Sequence, residues 1–532
     1  MTHCIKTRAP HGTVSDTIEI ITDRDQLEAV EHDAANYPDG KAFALVKPAS
    51  EAEIATILQG YTKILPVGAQ SSVTGGATPK GEVVLSLAQQ DRILESGSEY
   101  IRAQAGLSLR TLRETLALED KYYPPVPSYD GATVGGVIAT NAAGPATFKY
   151  GATRSWVQAL TVVLASGAVL DLERGQCIAH HDGYFEIDEG TRLYRLPVPT
   201  YKMPLVSKCS AGYYAKPGMD LIDLFIGSEG TLGVITEATL RVVSPRPEIC
   251  FALISCLNEA QALALTRSLR EISLKTRQTR DQRGLEVSAI EYMDARSVEI
   301  LRADGSDRRN AITLGPDART LLLVQFELSP AWAARAYDDL AQALEPDAPD
   351  IPLVQFVRIL EQSGRLEQTE LVMPGDWGRI EHMYALREAV PYGVNARVLQ
   401  AKQNQHPSIT KMAADMIVPF DHLGTMMQIF REGFESYGLD YAIWGHVSDG
   451  NMHPNLLPRS LDDMHHAQRV ILEAGKAVIA LGGCPLAEHG VGRNPTKKAL
   501  LKDLYGESGL QQMLAIKQAL DPEGKLAPGN LF

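Results

Sequence analysis

Two histidines stand seven residues apart in Trp444-Gly-His-Val-Ser-Asp-Gly-Asn-Met-His-Pro-Asn455. On one straight strand His446 and His453 would face opposite ways, because side chains alternate. Between them Ser448-Asp-Gly-Asn451 is a turn signal. A turn there folds two short extended pieces together and brings the imidazoles onto one site. Downstream, Ala487-Glu-His-Gly-Val-Gly492 sets a carboxylate beside an imidazole in a glycine-flanked segment. Two histidines and a glutamate, His446, His453 and Glu488, make a ligand set for Zn²⁺ or Mn²⁺ with positions left for a substrate. The competing reading makes both histidines hydrogen-bonded hairpin residues, and residue types alone leave the two open.

Three glycine-rich segments lie upstream. Pro127 to Tyr150 holds Gly131, Gly135, Gly136 and Gly144 among small residues, with almost no charge. Such a stretch is built to lie against something large and flat, since glycine permits close approach to the backbone. It lacks the G-x-G-x-x-G spacing of a dinucleotide fingerprint, and no Gly-Lys-Ser/Thr follows as in a P-loop. The segment Pro66-Val-Gly-Ala-Gln-Ser-Ser-Val-Thr-Gly-Gly-Ala-Thr78 leaves an apolar run, and no Lys or Arg occurs in it before Lys80. A pyrophosphate here would be held by backbone N–H groups and hydroxyls. Phe225-Ile-Gly-Ser-Glu-Gly-Thr-Leu-Gly-Val-Ile-Thr-Glu237 joins two apolar pieces through a glycine turn.

In this order and spacing the segments resemble the flavin-dependent family of vanillyl-alcohol oxidase and the D-2-hydroxy-acid dehydrogenases of D-lactate, glycolate and D-2-hydroxyglutarate type. PVGAQSSVTGG, DGATVGGVIATNAAG with KYG after it, and FIGSEGTLGVITEATLRV carry the resemblance, which covers nearly the whole chain. It implies a PCMH-type FAD-binding domain and FAD as cofactor. The implied contacts from the first segment are Pro66, Val67, Gly68, Ala69, Gln70, Ser71, Ser72 and Thr74. The second segment supplies Pro127, Asp130, Gly131, Thr133, Gly135, Gly136, Ala139, Thr140, Asn141, Gly144, Tyr150 and Gly151. The third supplies Glu229, Gly230, Gly233, Val234 and Ile235, with Asn455 and Asn530 completing the set. Covalent flavins in this fold hang from His or Cys. Neither occurs in Pro66–Thr78 or Pro127–Tyr150, so the FAD is expected to be non-covalent.

The same resemblance favours the metal reading. H-x-x-D-G-N-x-H and E-H-G match the metal-dependent branch, which makes His446, His453 and Glu488 ligands and His489 the catalytic base. Where the family usually has Gly this chain has Ser448, a change in the turn that spares the ligands. Arg387 and Lys411 are the implied partners of a substrate carboxylate. The implied reaction takes a small anionic 2-hydroxy acid to its 2-keto acid, with hydride passing to the flavin. A cytochrome, quinone or electron-transfer flavoprotein then accepts the electrons. Two other readings keep the fold: a metal-independent alcohol or phenol oxidase or ether-lipid synthase, and a non-catalytic flavoprotein subunit. The intact cluster of His446, His453, Glu488 and His489 speaks against both.

The elements that must position these residues can be placed coarsely. At 532 residues the chain calls for more than one domain. The pattern suggests an α+β protein, with an FAD-binding domain over 1–245 and a cap domain over 246–460. Residues 461–532 should return to the FAD domain. Ser50 and Ser108 open helices toward Leu58 and Leu118. Ser166-Gly167 marks a hairpin. In the cap domain, strands are expected at Phe251–Cys256, Leu321–Glu327, Pro352–Ile359 and Asp415–Pro419, forming an antiparallel sheet covered by helices. Helices are expected from Glu259, over Pro330–Leu344, over Asp421–Tyr437 and over Leu461–Leu481.

A formal charge of −14 excludes nucleic acid as the main partner. Six cysteines without C-x-x-C spacing read as reduced thiols and fit a cytoplasmic setting. Peripheral attachment at the inner membrane is the variant of that setting, and a homodimer is the expected assembly. The N-terminus has no signal-peptide h-region. No apolar run approaches the roughly 20 residues of a membrane-spanning helix.

Overall fold

Local chemistry starts the first helices. Ser50 Oγ accepts from Glu53 N at 3.2 Å ahead of helix Glu51–Gly60. Ser108 Oγ accepts from Thr111 N at 3.1 Å ahead of helix Leu109–Leu118. Each side-chain oxygen satisfies one donor that the first helical turn leaves unpaired.

The computed structural model describes residues 2–15, 18–125 and 127–532. Contacts divide it into two units. The first runs to Gly144, resumes over Gly151–Arg246 and is completed by Leu486–Phe532. The second holds Pro145–Tyr150 and Pro247–Pro485. The second unit thus runs past the boundary expected at 460, and helix Leu461–Ala480 packs within it.

In the first unit, strands Ala44–Val46, Val83–Ser86 and Ile64–Val67 lie parallel in that order. An antiparallel sheet orders Ile93–Ser96, Tyr100–Gln104, Val234–Arg241, Val157–Val163 and Val169–Glu173. Gly167, at φ 89, makes the hairpin turn before Val169. A smaller sheet joins Cys4–Lys6, Tyr184–Asp188 and Leu193–Pro197.

The second unit is built on one antiparallel sheet. Its order is Thr369–Val372, Glu248–Cys256, Thr320–Leu328, Glu286–Met293, Tyr441–His446 and Asn451–Leu456, with Met412–Ala413 and Met416–Ile417 along the last strand. Phe251, Leu253, Met293, Leu323 and Trp444 pack with Met383, Leu386 and Val390 of helix Trp377–Asn404 into one buried core. The antiparallel, helix-covered sheet matches the expectation.

Several elements differ from the sequence pattern. Pro352–Gln362 is a helix, where a strand was expected. Proline suits the first helical turn, and the buried residues Leu353, Val354, Phe356, Val357 and Leu360 follow helical spacing. The helix expected over Pro330–Leu344 is two short pieces, Pro330–Ala333 and Ala336–Ala341. Strand Glu286–Met293 and helices Trp377–Asn404 and Pro495–Leu520 had no sequence expectation. Among the described residues, no helix is long and apolar enough to cross a membrane.

Candidate active site

In the first unit the three glycine segments lie against one another. A side chain at Gly68 would collide with Thr133 Oγ1, so glycine is what lets the first segment touch the second. Gly227 N donates to Ile138 O at 2.9 Å and Glu229 N to Ala139 O at 2.8 Å, which ties the third segment to the second. The first loop turns at Gln70, φ 50, whose Nε2 donates to Val30 O at 2.9 Å and Ala77 O at 2.8 Å. Asn530, 3% exposed, donates through Nδ2 to Gly76 O at 2.9 Å and Glu229 O at 3.3 Å.

The donors in this place fit FAD. Among the described residues, the backbone N–H groups of Ala69, Ser71 and Ser72 have no protein acceptor. The buried Oδ1 of Asn530 has no hydrogen-bond partner there either. Unused backbone donors in a small-residue loop are what a pyrophosphate takes. Two of the expected contacts also bond within the protein. Asp130 is ion-paired to Arg110 and Arg113, each at 2.8 Å, and the Arg110 hydrogen bond lowers its pKa. Tyr150 belongs to the second unit, where its hydroxyl donates to Glu327 Oε2 at 2.6 Å.

Leu486–Gly492 also lies in the first unit. The buried carboxylate of Glu229 accepts from Val491 N at 2.8 Å and Gly492 N at 2.7 Å. Burial raises its pKa against the opposing pull of those two donors. Glu488 is ion-paired through Oε2 with the buried Lys208, at 3.1 Å. His489 Nε2 stands 3.6 Å from Glu488 Oε1.

In the second unit the two motif histidines sit on the hairpin of Tyr441–His446 and Asn451–Leu456. The register pairs His446 with Asn451 and Trp444 with His453. Side chains two apart share a face, so both imidazoles lie on one face, ring centres 5.3 Å apart and edge to face. The turn thus unites them, as the turn signal at Ser448–Asn451 suggested. Glu291 stands opposite His446 in the neighbouring strand and bonds its Nδ1. His453 Nδ1 is 3.4 Å from Asp415 Oδ1, which also accepts from Asn451 Nδ2 at 3.0 Å. Asn455, two residues beyond His453, is buried and donates through Nδ2 to His453 O at 2.8 Å.

Arg387 descends onto this row from helix Trp377–Asn404. Its Nε donates to Glu291 Oε2 at 2.9 Å and its Nη1 to Glu388 Oε1 at 2.8 Å. Burial alone would raise the Glu291 pKa. His446 and Arg387 outweigh it and hold the carboxylate well below its usual range. Lys411 is an exposed residue whose ammonium end nevertheless turns in, Nζ lying 5.5 Å from the Trp444 ring centre. Desolvation of the ammonium, then the charge of Arg387, lowers its pKa to about 8.

The sequence reading missed Glu291, Asp415 and Lys208. Glu291 and Asp415 are charges within buried stretches: Glu291 in Val-Ser-Ala-Ile-Glu-Tyr-Met, Asp415 before Met-Ile-Val. A charge buried in a strand needs a partner, and that is the signal that could have found the first two. Lys208 sits in Val-Ser-Lys-Cys-Ser, where nothing local marks it.

An FAD-binding unit and a unit built on an antiparallel, helix-covered sheet, joined in one chain, define a flavin-dependent oxidoreductase, and the comparisons agree. Residues 42–173 match the FAD binding domain family. Residues 258–531, just over half the chain, match the family of FAD linked oxidases, C-terminal domain. The chain belongs to the FAD-linked oxidases. It is 28% identical to glycolate oxidase subunit GlcD of Bacillus subtilis, over 94% of this chain and 91% of that one. It is 27% identical to the mitochondrial D-2-hydroxyglutarate dehydrogenase of Bos taurus, covering 96% and 81%. It is 26% identical to a mitochondrial, cytochrome-type D-lactate dehydrogenase of Arabidopsis thaliana, covering 94% and 74%. The solved 4-ethylphenol oxidase of Gulosibacter chungangensis shares the fold, with a TM-score of 0.62 at 15% identity over 96% and 94% of the two chains.

Proposed function

We propose that this enzyme oxidises a D-2-hydroxy acid of the glycolate, D-lactate or D-2-hydroxyglutarate type to the 2-keto acid. The first unit is the flavin unit and the second the substrate unit, with His446, His453 and Glu488 as ligands of one Zn²⁺ or Mn²⁺. The observation that carries the reading is the hairpin. It sets the two imidazoles of H-x-x-D-G-N-x-H on one face, with Glu291 and Asp415 each beside a ring Nδ1. A carboxylate behind the imidazole is the support that histidine ligands take.

FAD when bound supplies a two-electron acceptor for the hydride. A divalent ion when bound supplies Lewis acidity that makes the substrate hydroxyl easier to deprotonate. His489 takes that proton on a ring nitrogen, a task suited to imidazole at neutral pH. Arg387 and Lys411 hold the substrate carboxylate, Arg387 with its guanidinium braced by Glu291 and Glu388. A cytochrome is the acceptor class that the name of the Arabidopsis relative favours.

The test is anaerobic mixing of the flavin- and metal-loaded enzyme with matched D- and L-2-hydroxy acids. A D-acid should bleach the flavin and its L-enantiomer should not. In H489A bleaching should slow by roughly two to four orders of magnitude, the range for losing a positioned acid–base group, with FAD and metal retained. If no D-2-hydroxy acid in the panel bleaches the loaded enzyme, the proposal fails.

A further inference from the structure

Lys208 is 1% exposed, one of the largest fully buried side chains among the described residues. Its Nζ lies 3.1 Å from Glu488 Oε2, while the other oxygen, Oε1, faces His489 Nε2 at 3.6 Å. One oxygen of the carboxylate thus stands beside Lys208 and the other beside His489. Nothing in the proposed chemistry uses this lysine.

Bonds other than the ion pair tie this loop down. Ser210 N donates to Leu486 O at 3.0 Å, and Gly490 N donates to Ser210 Oγ at 2.9 Å. Val491 N and Gly492 N donate to Glu229 at 2.8 and 2.7 Å. Lys497 Nζ donates to Gly490 O at 3.2 Å, and Leu531 N to Gly492 O at 3.0 Å. Each of these bonds ties down the segment from Leu486 to Gly492 without the Lys208 ammonium or the Glu488 carboxylate. Burying an ammonium and a carboxylate gives up the solvation of both ions, and well-packed apolar residues often serve a fold as well or better. A costly pair in a place that other bonds already tie down points to work done on the carboxylate itself.

We propose that Lys208 is a positioning residue that fixes the Glu488 carboxylate as a metal ligand. Its ammonium stands 3.1 Å from Oε2 and would hold the carboxylate in place for the ion by charge. The assignment rests on the metal reading above. Partners of this kind orient a ligating carboxylate, and their loss costs metal affinity rather than the fold.

The experiment uses the full chain, flavin-loaded and stripped of metal, titrated with Zn²⁺ or Mn²⁺ against a chromophoric chelator. In K208M the metal Kd should rise roughly 10- to 100-fold, with FAD content and flavin absorbance unchanged. The double variant K208M/E488Q should bind metal no more weakly than E488Q alone, because the lysine acts through that carboxylate. K208Q keeps a donor without the charge and should fall between wild type and K208M. An unchanged Kd in K208M overturns the assignment. A shifted flavin reduction potential with unchanged metal affinity overturns it too, and moves Lys208 to the flavin. If neither K208M nor K208Q accumulates as flavin-loaded protein, the lysine belongs to the fold and the assignment falls. A wild-type chain that binds no metal sinks the metal reading itself, an outcome distinct from tight wild-type binding with K208M unaltered.

Discussion

Glu291 is a carboxylate in a buried strand, held between the Arg387 guanidinium and the His446 imidazole. Both neighbours and the carboxylate are under 9% exposed, so water does little to screen them. Losing one member of a buried pair leaves the other charge uncompensated, at a cost of roughly 3–5 kcal/mol. E291Q should lower the stability of the metal-free protein by about that amount, read from the denaturant midpoint of the affected transition. A loss below about 1 kcal/mol would place the pair with solvent-screened surface bridges. Lys411 gives a pH signature. Its lowered pKa keeps it charged below about pH 8 and neutral above. If it holds the substrate carboxylate, KM should rise as pH increases through about 8. K411R, charged throughout, should flatten that rise, and K411M should show a high KM on both sides. A KM profile for K411M that still breaks near pH 8 would assign the break to another group.

At the scale of elements, the hairpin does what two separate strands would not. Its register, not the histidine spacing, decides that the imidazoles share a face, and close contact between the strands preserves that register. A Cβ on Gly445 would lie 2.6 Å from Asn451 O and 2.8 Å from Met452 Cα. G445A should push the strands apart at the level of His446, costing roughly 1–3 kcal/mol as overpacking does. Metal content should fall while FAD content stays, because the glycine segments are in the other unit. Equal loss of both on elemental and absorbance analysis would refute that separation. This element was legible because a polar turn between two short extended runs is a local signal. The capped helices after Ser50 and Ser108 were legible for the same reason. Helix Trp377–Asn404 was not: Pro391 stands inside it and reads as a breaker. Helix Pro352–Gln362 was misread because a short apolar run looks alike in a buried strand and a buried helix. Strand Glu286–Met293, which carries Glu291, was missed although its pattern is strongly apolar. Its site role comes from pairing with Tyr441–His446, about 150 residues later in the chain, as the Glu291–His446 register records.

For the molecule as a whole, the chain enters the second unit at Pro145, leaves it at Tyr150, returns at Pro247 and leaves again at Pro485. Glycine segments far apart in sequence gather in the first unit, together with Leu486–Gly492 and the C-terminal Asn530, and this gathering governs how FAD is held. A covalent flavin needs a His or Cys side chain at the isoalloxazine. Pro66–Thr78, Pro127–Tyr150 and Phe225–Glu237 contain neither residue. Cys209, whose backbone carbonyl accepts from Asn141 Nδ2 at 3.2 Å, directs its Sγ toward Tyr505 Oη at 3.8 Å. His489, in the Leu486–Gly492 segment, faces Glu488. The FAD should therefore be held by hydrogen bonds and packing alone. Such a cofactor stabilises only the folded state, by an amount that grows with its free concentration. Acid precipitation should leave a white pellet and carry all the yellow colour into the supernatant. The native enzyme should gain thermal stability when FAD is added to a partly depleted sample. Colour that stays with the pellet, or a melting temperature indifferent to added FAD, would mean that the gathered segments do not hold the flavin in this way.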